Sequence, residues 1–189
     1  MDAVTLLTAD HNRVRGLFER FKAASEADDA DRMASLAELM RADLTAHTTI
    51  EEEIFYPAVR DLSEEIAETV AEGLEEHHQV EVLLQELTQL EPGSEEWKAK
   101  WTVIVEDVDH HAEEEESELF PKVRAQTDQD TRDRWGDQLD RRKGELGVPT
   151  QADRIDLTTA EVRELATEQE IPGRSKLSVD ELRAAVQPR

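Results

Sequence analysis

The stretch HTTIEEEIFYP, residues 47–57, returns 64 residues later as HAEEEESELFP, residues 111–121. In each copy a His is followed four residues on by a Glu (His47 and Glu51, His111 and Glu115), and a Pro stands six residues beyond that Glu (Pro57 and Pro121). A second pair accompanies the first: Asp10-His11-Asn-Arg-Val14-Arg-Gly-Leu17 reads like Glu76-His77-His-Gln-Val80-Glu-Val-Leu83. Residues four apart share a helix face. Each half of the first 127 residues therefore offers one lone imidazole, then an imidazole and a carboxylate one helical turn apart. Two sets of two imidazoles and a carboxylate are what a dinuclear metal site inside a four-helix bundle requires.

The apolar residues around these motifs recur every three or four positions, the spacing of a helix that buries one stripe. Residues 2–27 give Val4, Leu7, His11, Val14, Phe18 and Phe21, and residues 31–60 give Leu36, Met40, Leu44, His47, Glu51, Ile54 and Ala58. Residues 64–90 give Ile66, Val70, Leu74, His77, Val80 or Glu81, Leu84 and Leu87, and residues 95–127 give Trp97, Trp101, Ile104, Val108, His111, Glu115 and Leu119. Glu91-Pro-Gly-Ser94 is a turn, with Ser94 placed to cap the fourth helix. Pro57 and Pro121 fall near the ends of their helices, where a loosened last turn costs least.

His11, His47, Glu51, His77, His111 and Glu115 thus sit in seam positions that should be apolar. Six such groups buried without partners would cost several kcal/mol, and a metal ion satisfies them directly. Their heights also agree. Counted from a turn near residue 29, His11 and His47 each lie 18 residues away, about 27 Å along antiparallel helices. Counted from a turn near residue 94, His77 and His111 are each 17 residues away. An up-down-up-down bundle brings all of them to one level. The predicted fold is all-α, with this bundle followed by a small helical appendage.

Composition narrows the alternatives. The chain has 189 residues, 36% charged, with no Cys, so thiolate ligands and disulfides are excluded. The N-terminus has no basic stretch leading into an apolar run, and no segment approaches the ~20 apolar residues of a membrane span; a cytoplasmic location is expected. Residues 153–189 carry eight acids and six bases, net −2, which leaves −22 of the total −24 on residues 1–152. Such a surface opposes phosphate contacts and is mostly solvated helix face.

The pattern of a lone His, His-x3-Glu, lone His, His-x3-Glu, with tails of the Glu-Glu-x-x-Phe/Tyr-x-Pro kind, resembles hemerythrin-like (HHE cation-binding) domains over about residues 1–127. The resemblance implies a non-haem di-iron centre bridged by carboxylates and an oxo or hydroxo group, with two His on each iron and Glu51 and Glu115 bridging. Manganese fits the same donors. The O2-carrying hemerythrins have a second His four residues on in the third helix, where this chain has Glu81, and His-x4-Asp in the last helix, where this chain has His-x3-Glu. One imidazole fewer favours reaction with peroxide or nitric oxide, or an iron- or oxygen-responsive role, over reversible O2 carriage.

Other residues divide between structure and site. Glu81, one turn beyond His77, is a candidate ligand or nearby base. Asp10 and Asp43 are candidate acceptors for a ligating imidazole, which commonly donates its other N–H to a carboxylate. His78 and His110 lie off the seam and read as solvated or as supports beside the ligands. Phe55, Tyr56 and Phe120 read as core packing near the site; Tyr56 could also donate to bound oxygen, though its place next to Pro57 gives no special reason for that role.

The domain boundaries read as 1–142 for the bundle with a short docking helix carrying Trp135, 143–155 for a linker, and 156–189 for a terminal module. That module resembles the helix–extended–helix units of the Rho N-terminal or SAP type. The resemblance makes Arg174, Lys176 and Arg183 candidate nucleic-acid contacts, with a protein partner or simple packing as the alternative. The functional expectation is a di-iron protein that binds or reduces O2, H2O2 or NO in a stress response, with catalase- or peroxidase-like turnover as its enzymatic form. The alternatives are a sensor acting through the terminal module, and iron buffering.

Overall fold

In the computed structural model, which describes residues 1–150, 158–169 and the single positions 171, 174, 175, 179, 182 and 186, every regular element is helical. Helix α1 spans Ala3–Glu26; Asp2 caps it, its carboxylate accepting from the N–H groups of Val4 and Thr5. The chain reverses at Asp28, whose φ of 51° is left-handed, and Asp29 caps α2, Ala30–Ile50. The helix then widens into a π turn, Glu51–Phe55, and runs on as α3, Tyr56–Val59. Ser63 caps α4, Glu64–Leu87. Gly93, with φ of 85°, lets the next turn close onto Ser94, which caps α5, Glu95–Glu114, as the sequence predicts. A second π turn, Glu115–Leu119, leads into α6, Phe120–Gln126. α1 packs on α2, α2 on α4, α4 on α5 and α5 on α1, closing the four-helix ring.

The two π turns refine the reading of the prolines. Pro57 and Pro121 offer no N–H, and their rings crowd the carbonyl four residues back. The strain is relieved ahead of each proline rather than by ending the helix: the N–H of Tyr56 donates to the carbonyl of Glu51, and that of Phe120 to Glu115, each five residues back. One extra residue enters the turn, so the buried positions after Glu51 are Phe55, Tyr56 and Val59. Regular α spacing predicts Ile54 and Ala58, which are only half-buried. In α4, Leu74 likewise leaves the expected seam and is exposed, while Gly73 is buried beside it.

The core lies in two layers. Towards one end Val14, Phe18, Phe21, Leu36, Met40, Leu44, Trp97, Trp101 and Ile104 pack together. Towards the other Leu7, Ile50, Phe55, Ile66, Val70, Leu119, Phe120 and Val123 do so. The predicted ligands occupy the slab between these layers, where water is displaced from both sides.

Helix α7, Gln129–Glu145, lies across the bundle and extends past the predicted boundary at 142. Leu139 is fully buried in the second core layer, with Trp135 half-buried against it. Arg132 bonds Asp2 at 2.8 Å and the Thr127 carbonyl at 2.6 Å. Gly136 meets the backbone of Met1 and Ala3 so closely that a Cβ there would collide with it. Helix α8, Thr159–Glu168, contributes Val162, Leu165 and Ala166 to a separate small cluster with Ile171, Leu182 and Val186. Arg174 is exposed, and Lys176 and Arg183 lie outside the described residues.

Candidate metal centre

Four imidazoles converge in two pairs. Nε2 of His11 on α1 stands 3.1 Å from Nε2 of His47 on α2, and Nε2 of His77 on α4 stands 3.1 Å from Nε2 of His111 on α5. The carboxylates reach across both pairs. Oε2 of Glu51 is 3.2 Å from His47 and 3.3 Å from His77, and Oε2 of Glu115 is 3.3 Å from His11 and 3.8 Å from His111. All six residues are at most 6% exposed. Both oxygens of Glu51 and Oε2 of Glu115 have no hydrogen-bond partner although buried. Buried orphan carboxylate oxygens facing converging imidazole nitrogens are the donor set a cation would satisfy. His11, His47, Glu51 and Glu115 form one group with mutually close ligand atoms, and Glu51, His77 and His111 another.

The Nδ1 atoms show why the rings hold these orientations. Glu116 accepts from His11 at 2.8 Å, Glu52 from His77 at 3.0 Å, and Glu76 from His111 at 2.7 Å. Asp10 lies 3.8 Å from Nδ1 of His47, beyond hydrogen-bond length. These carboxylates follow the repeat: Glu52 and Glu116 come directly after Glu51 and Glu115, and Asp10 and Glu76 directly before His11 and His77. The sequence reading offered Asp10 as such an acceptor, and here it faces His47 without a hydrogen bond; it missed Glu52, Glu76 and Glu116, though the duplicated spacing carried them.

Two predicted participants lie elsewhere. Asp43 is engaged by Arg13 through two bonds of 2.7 and 2.9 Å, so no imidazole receives it. Glu81 is exposed and lines a cleft of about 170 Å³ between α2 and α4, along with Thr45, Thr48, Glu52 and His77. It belongs to neither ligand group at the centre. His78 and His110 are exposed; His110 pairs with Glu114 at 3.4 Å.

The aromatic residues belong to the site as well as to the core. Tyr56 stacks on His77 with ring centroids 5.5 Å apart, and its hydroxyl donates to Oε1 of Glu115 at 3.0 Å. Phe120, at the equivalent place in the second copy, stacks on His11 at 5.8 Å. Gly73 leaves room for the phenol: a Cβ there would stand 2.7 Å from the Tyr56 hydroxyl oxygen and 3.4 Å from Cε1 of His111.

The electrostatics are those of crowded buried groups competing for protons. Burial opposes charge on His11, yet Glu115 and Glu116 outweigh it and raise its pKa to about 10. Burial drives His47 down to about 4 even with Asp10 nearby, and the charge on His11 adds to the effect. Burial and the neighbouring Glu115 push Glu51 well above the ordinary carboxylate range. Glu115 moves the other way; burial would raise it, but His11 and His111 hold it low. Two carboxylates in one site with opposite shifts mark a cluster whose protons a metal would displace.

Residues 2–123 match the family described as Hemerythrin HHE cation binding domain. The chain belongs to that family. It is also similar to a protein of Nostoc sp. (strain PCC 7120) named as a DNA nickase, at 26% identity over 146 residues, which cover 77% of this chain and 40% of that protein. The match therefore spans about two fifths of the relative's length. No solved structure matches the chain significantly.

Proposed function

We propose that the chain is a dinuclear non-haem iron protein whose centre binds or reduces a small oxidant, O2, H2O2 or NO. The observation that supports this is the convergence of four Nε2 atoms in two pairs 3.1 Å apart, with Glu51 and Glu115 each reaching both pairs inside an otherwise apolar core. His11 and His47 would hold one ion, His77 and His111 the other, and the two glutamates would bridge them. Imidazole and carboxylate without thiolate suit Fe, and also Mn. Once bound, the metals supply an open coordination position and a change of oxidation state.

The protein supplies the rest. Glu116, Glu52 and Glu76 fix the tautomers of their imidazoles so that each Nε2 faces inwards. The two apolar layers exclude water, and the Tyr56 hydroxyl donates a hydrogen bond to Oε1 of Glu115. The cleft between α2 and α4 has His77 in its lining, and would offer a small molecule a way in.

The test is metal content by plasma mass spectrometry on protein purified without added metal. About two irons per chain are expected from this donor set, falling sharply in Glu51→Ala and His111→Ala. Little metal even after anaerobic Fe(II) loading would sink the reading. O2 evolution from peroxide by the iron-loaded protein, lost in His111→Ala, identifies the peroxide-consuming form.

A second reading, an iron- or oxygen-responsive regulator working through the segment after the bundle, is favoured by the contact of α7 with the centre, where Lys143 pairs with Asp10. The Nostoc relative's name brings DNA into view. The charge of −22 on residues 1–152 opposes phosphate contacts by the bundle, so the exposed Arg174 and its neighbours would have to make them. Relaxation of supercoiled plasmid by the iron-loaded chain, absent without metal, tests this; no nicking in either state counts against it. Among the described residues no helix is long and apolar enough to cross a membrane.

A further inference from the structure

The two halves of the centre follow one pattern except at a single carboxylate. Asp10 precedes His11 as Glu76 precedes His77, and each faces the imidazole of the next helix in its hairpin. Glu76 stands 2.7 Å from Nδ1 of His111, but Asp10 stands 3.8 Å from Nδ1 of His47. The longer distance has a visible cause outside residues 2–123. Lys143, in the last turn of α7, is only 6% exposed, and its ammonium is bound by Oδ1 of Asp10. Oδ2 of Asp10 and Nδ1 of His47 are left as two buried atoms without hydrogen-bond partners. The adjacent Arg142 clasps Glu53 at 2.7 and 3.1 Å, two residues beyond Glu51. α7 thus grips both the carboxylate that faces His47 and the π turn that carries Glu51. Among the described residues no Lys or Arg pairs with Glu76, whose ion pair is with His111.

From this geometry we infer that Lys143 is a positioning residue for the metal centre: it holds Asp10 away from His47, makes the His11–His47 metal position the weaker of the two, and links docking of α7 to occupancy of that position. The inference rests on the two-metal reading above. A carboxylate that accepts the Nδ1 proton orients an imidazole and strengthens it as a ligand, and losing such a partner costs about 10–100-fold in metal affinity. A cation on Nε2 of His47 polarises the Nδ1–H bond and draws Asp10 towards it, while Lys143 competes for the same carboxylate. Metal and α7 are therefore antagonists at Asp10. The coupling is reciprocal: loading this position loosens α7, and releasing α7 tightens the metal. Because α7 leads into residues 146–189, the segment after the bundle receives the signal.

The test is anaerobic Fe(II) titration of the full chain by calorimetry in two backgrounds, His111→Ala, which spares the His11–His47 position, and His47→Ala, which removes it. In the first, Lys143→Met is expected to tighten Fe(II) by about tenfold or more, and Lys143→Arg to restore the weaker value; in the second, Lys143→Met changes nothing. A purely structural lysine would affect both backgrounds alike. In the unsubstituted chain, Fe(II) is expected to speed tryptic cleavage at the exposed Arg141. An Fe(II) affinity that Lys143→Met leaves unchanged in the His111→Ala background, or cleavage indifferent to iron, overturns the inference while leaving the two-metal reading intact. A chain that binds no iron in either background fails that reading and takes this inference with it. Should Lys143→Met not fold, Asp10→Asn with Lys143→Met removes both buried charges together, and cleavage that still responds to iron then overturns the inference.

Discussion

Tyr56 donates a hydrogen bond from its hydroxyl to Glu115 at 3.0 Å across the bundle, so a residue of the first repeat orients the buried carboxylate of the second. The converse bond is missing. Phe120, the counterpart of Tyr56, carries no hydroxyl, and both oxygens of Glu51 have no hydrogen-bond partner. Tyr56→Phe should therefore leave the fold within about 1 kcal/mol of the parent, the usual net worth of one hydrogen bond. Its effect should fall on the metal, with iron affinity reduced up to about tenfold at unchanged saturation stoichiometry. Titration of metal-free protein with Fe(II) checks this, and an unchanged affinity would show that the hydroxyl serves packing alone.

Gly73 gives a sharper test of the same contact. Its missing side chain is the space the Tyr56 hydroxyl occupies, since a Cβ would stand 2.7 Å from that oxygen. Gly73→Ala should destabilise the parent chain by about 1–3 kcal/mol, the cost of overpacking. In the Tyr56→Phe background the 2.7 Å clash disappears and the tightest remaining contact is the ring Cζ at 3.3 Å, while replacing a helical Gly by Ala gains up to about 1 kcal/mol. The destabilisation should therefore be clearly smaller in that background than in the parent. A double-mutant cycle in urea measures the coupling directly; additive effects would mean that the tyrosine is held elsewhere in solution.

Much of this was legible in the chain because the repeat states it twice. His11, His47, Glu51, His77, His111 and Glu115 stand out as polar residues in apolar seams, and equal counts to the turns put them at one level. The π turns were not legible, because a widened turn leaves no mark in apolar spacing until the residues after it are seen to shift from Ile54 and Ala58 to Phe55 and Val59. That same widening brought Tyr56, read as ordinary packing, onto His77 and Glu115. The misplacing of Asp43 has a different origin. It lies one turn before His47, but sequence spacing could not reveal that Arg13 on the neighbouring helix would claim it. Lys143 was hidden for a similar reason: it lies far from the repeat in sequence, and only the path of α7 brings it to Asp10.

Protons and metal compete at His11, which gives a signed pH dependence. In the metal-free chain its folded pKa of about 10 lies above the ordinary 6.5. The stability contributed by charged His11 is therefore full below about 6.5 and lost as pH rises through 10. His47, held at about 4, acts in the other direction: its contribution is present above 6.5 and lost as pH falls through 4. Metal-free stability attributable to this pair should peak near pH 6.5. Metal binding must remove the proton from His11, so at pH 7 Fe(II) binding should release a proton, and apparent affinity should rise about tenfold per pH unit below the His11 pKa. Calorimetry in buffers of different ionisation enthalpy counts the proton. Binding without proton release would remove His11 from the ligand set.

Glu52 and Glu81 flank the same cleft, and only one of them is bonded to a converging imidazole. Glu52 is exposed yet accepts from Nδ1 of His77 at 3.0 Å, whereas Glu81 is exposed and belongs to neither ligand group at the centre. Because both carboxylates reach solvent, replacing either by Gln should leave thermal stability of the metal-free chain within about 0.5 kcal/mol. Their metal phenotypes should diverge. Glu52→Gln keeps a neutral amide oxygen near His77 but removes the charge that makes the imidazole a strong ligand, and Fe(II) affinity should fall by about 10–100-fold. Glu81→Gln should leave it unchanged. Equal losses in the two variants would mean that the cleft acts through its summed negative charge on an approaching cation, a long-range effect that rising salt would abolish. A loss confined to Glu52→Gln and persisting in high salt would instead place the effect at the short bond to His77.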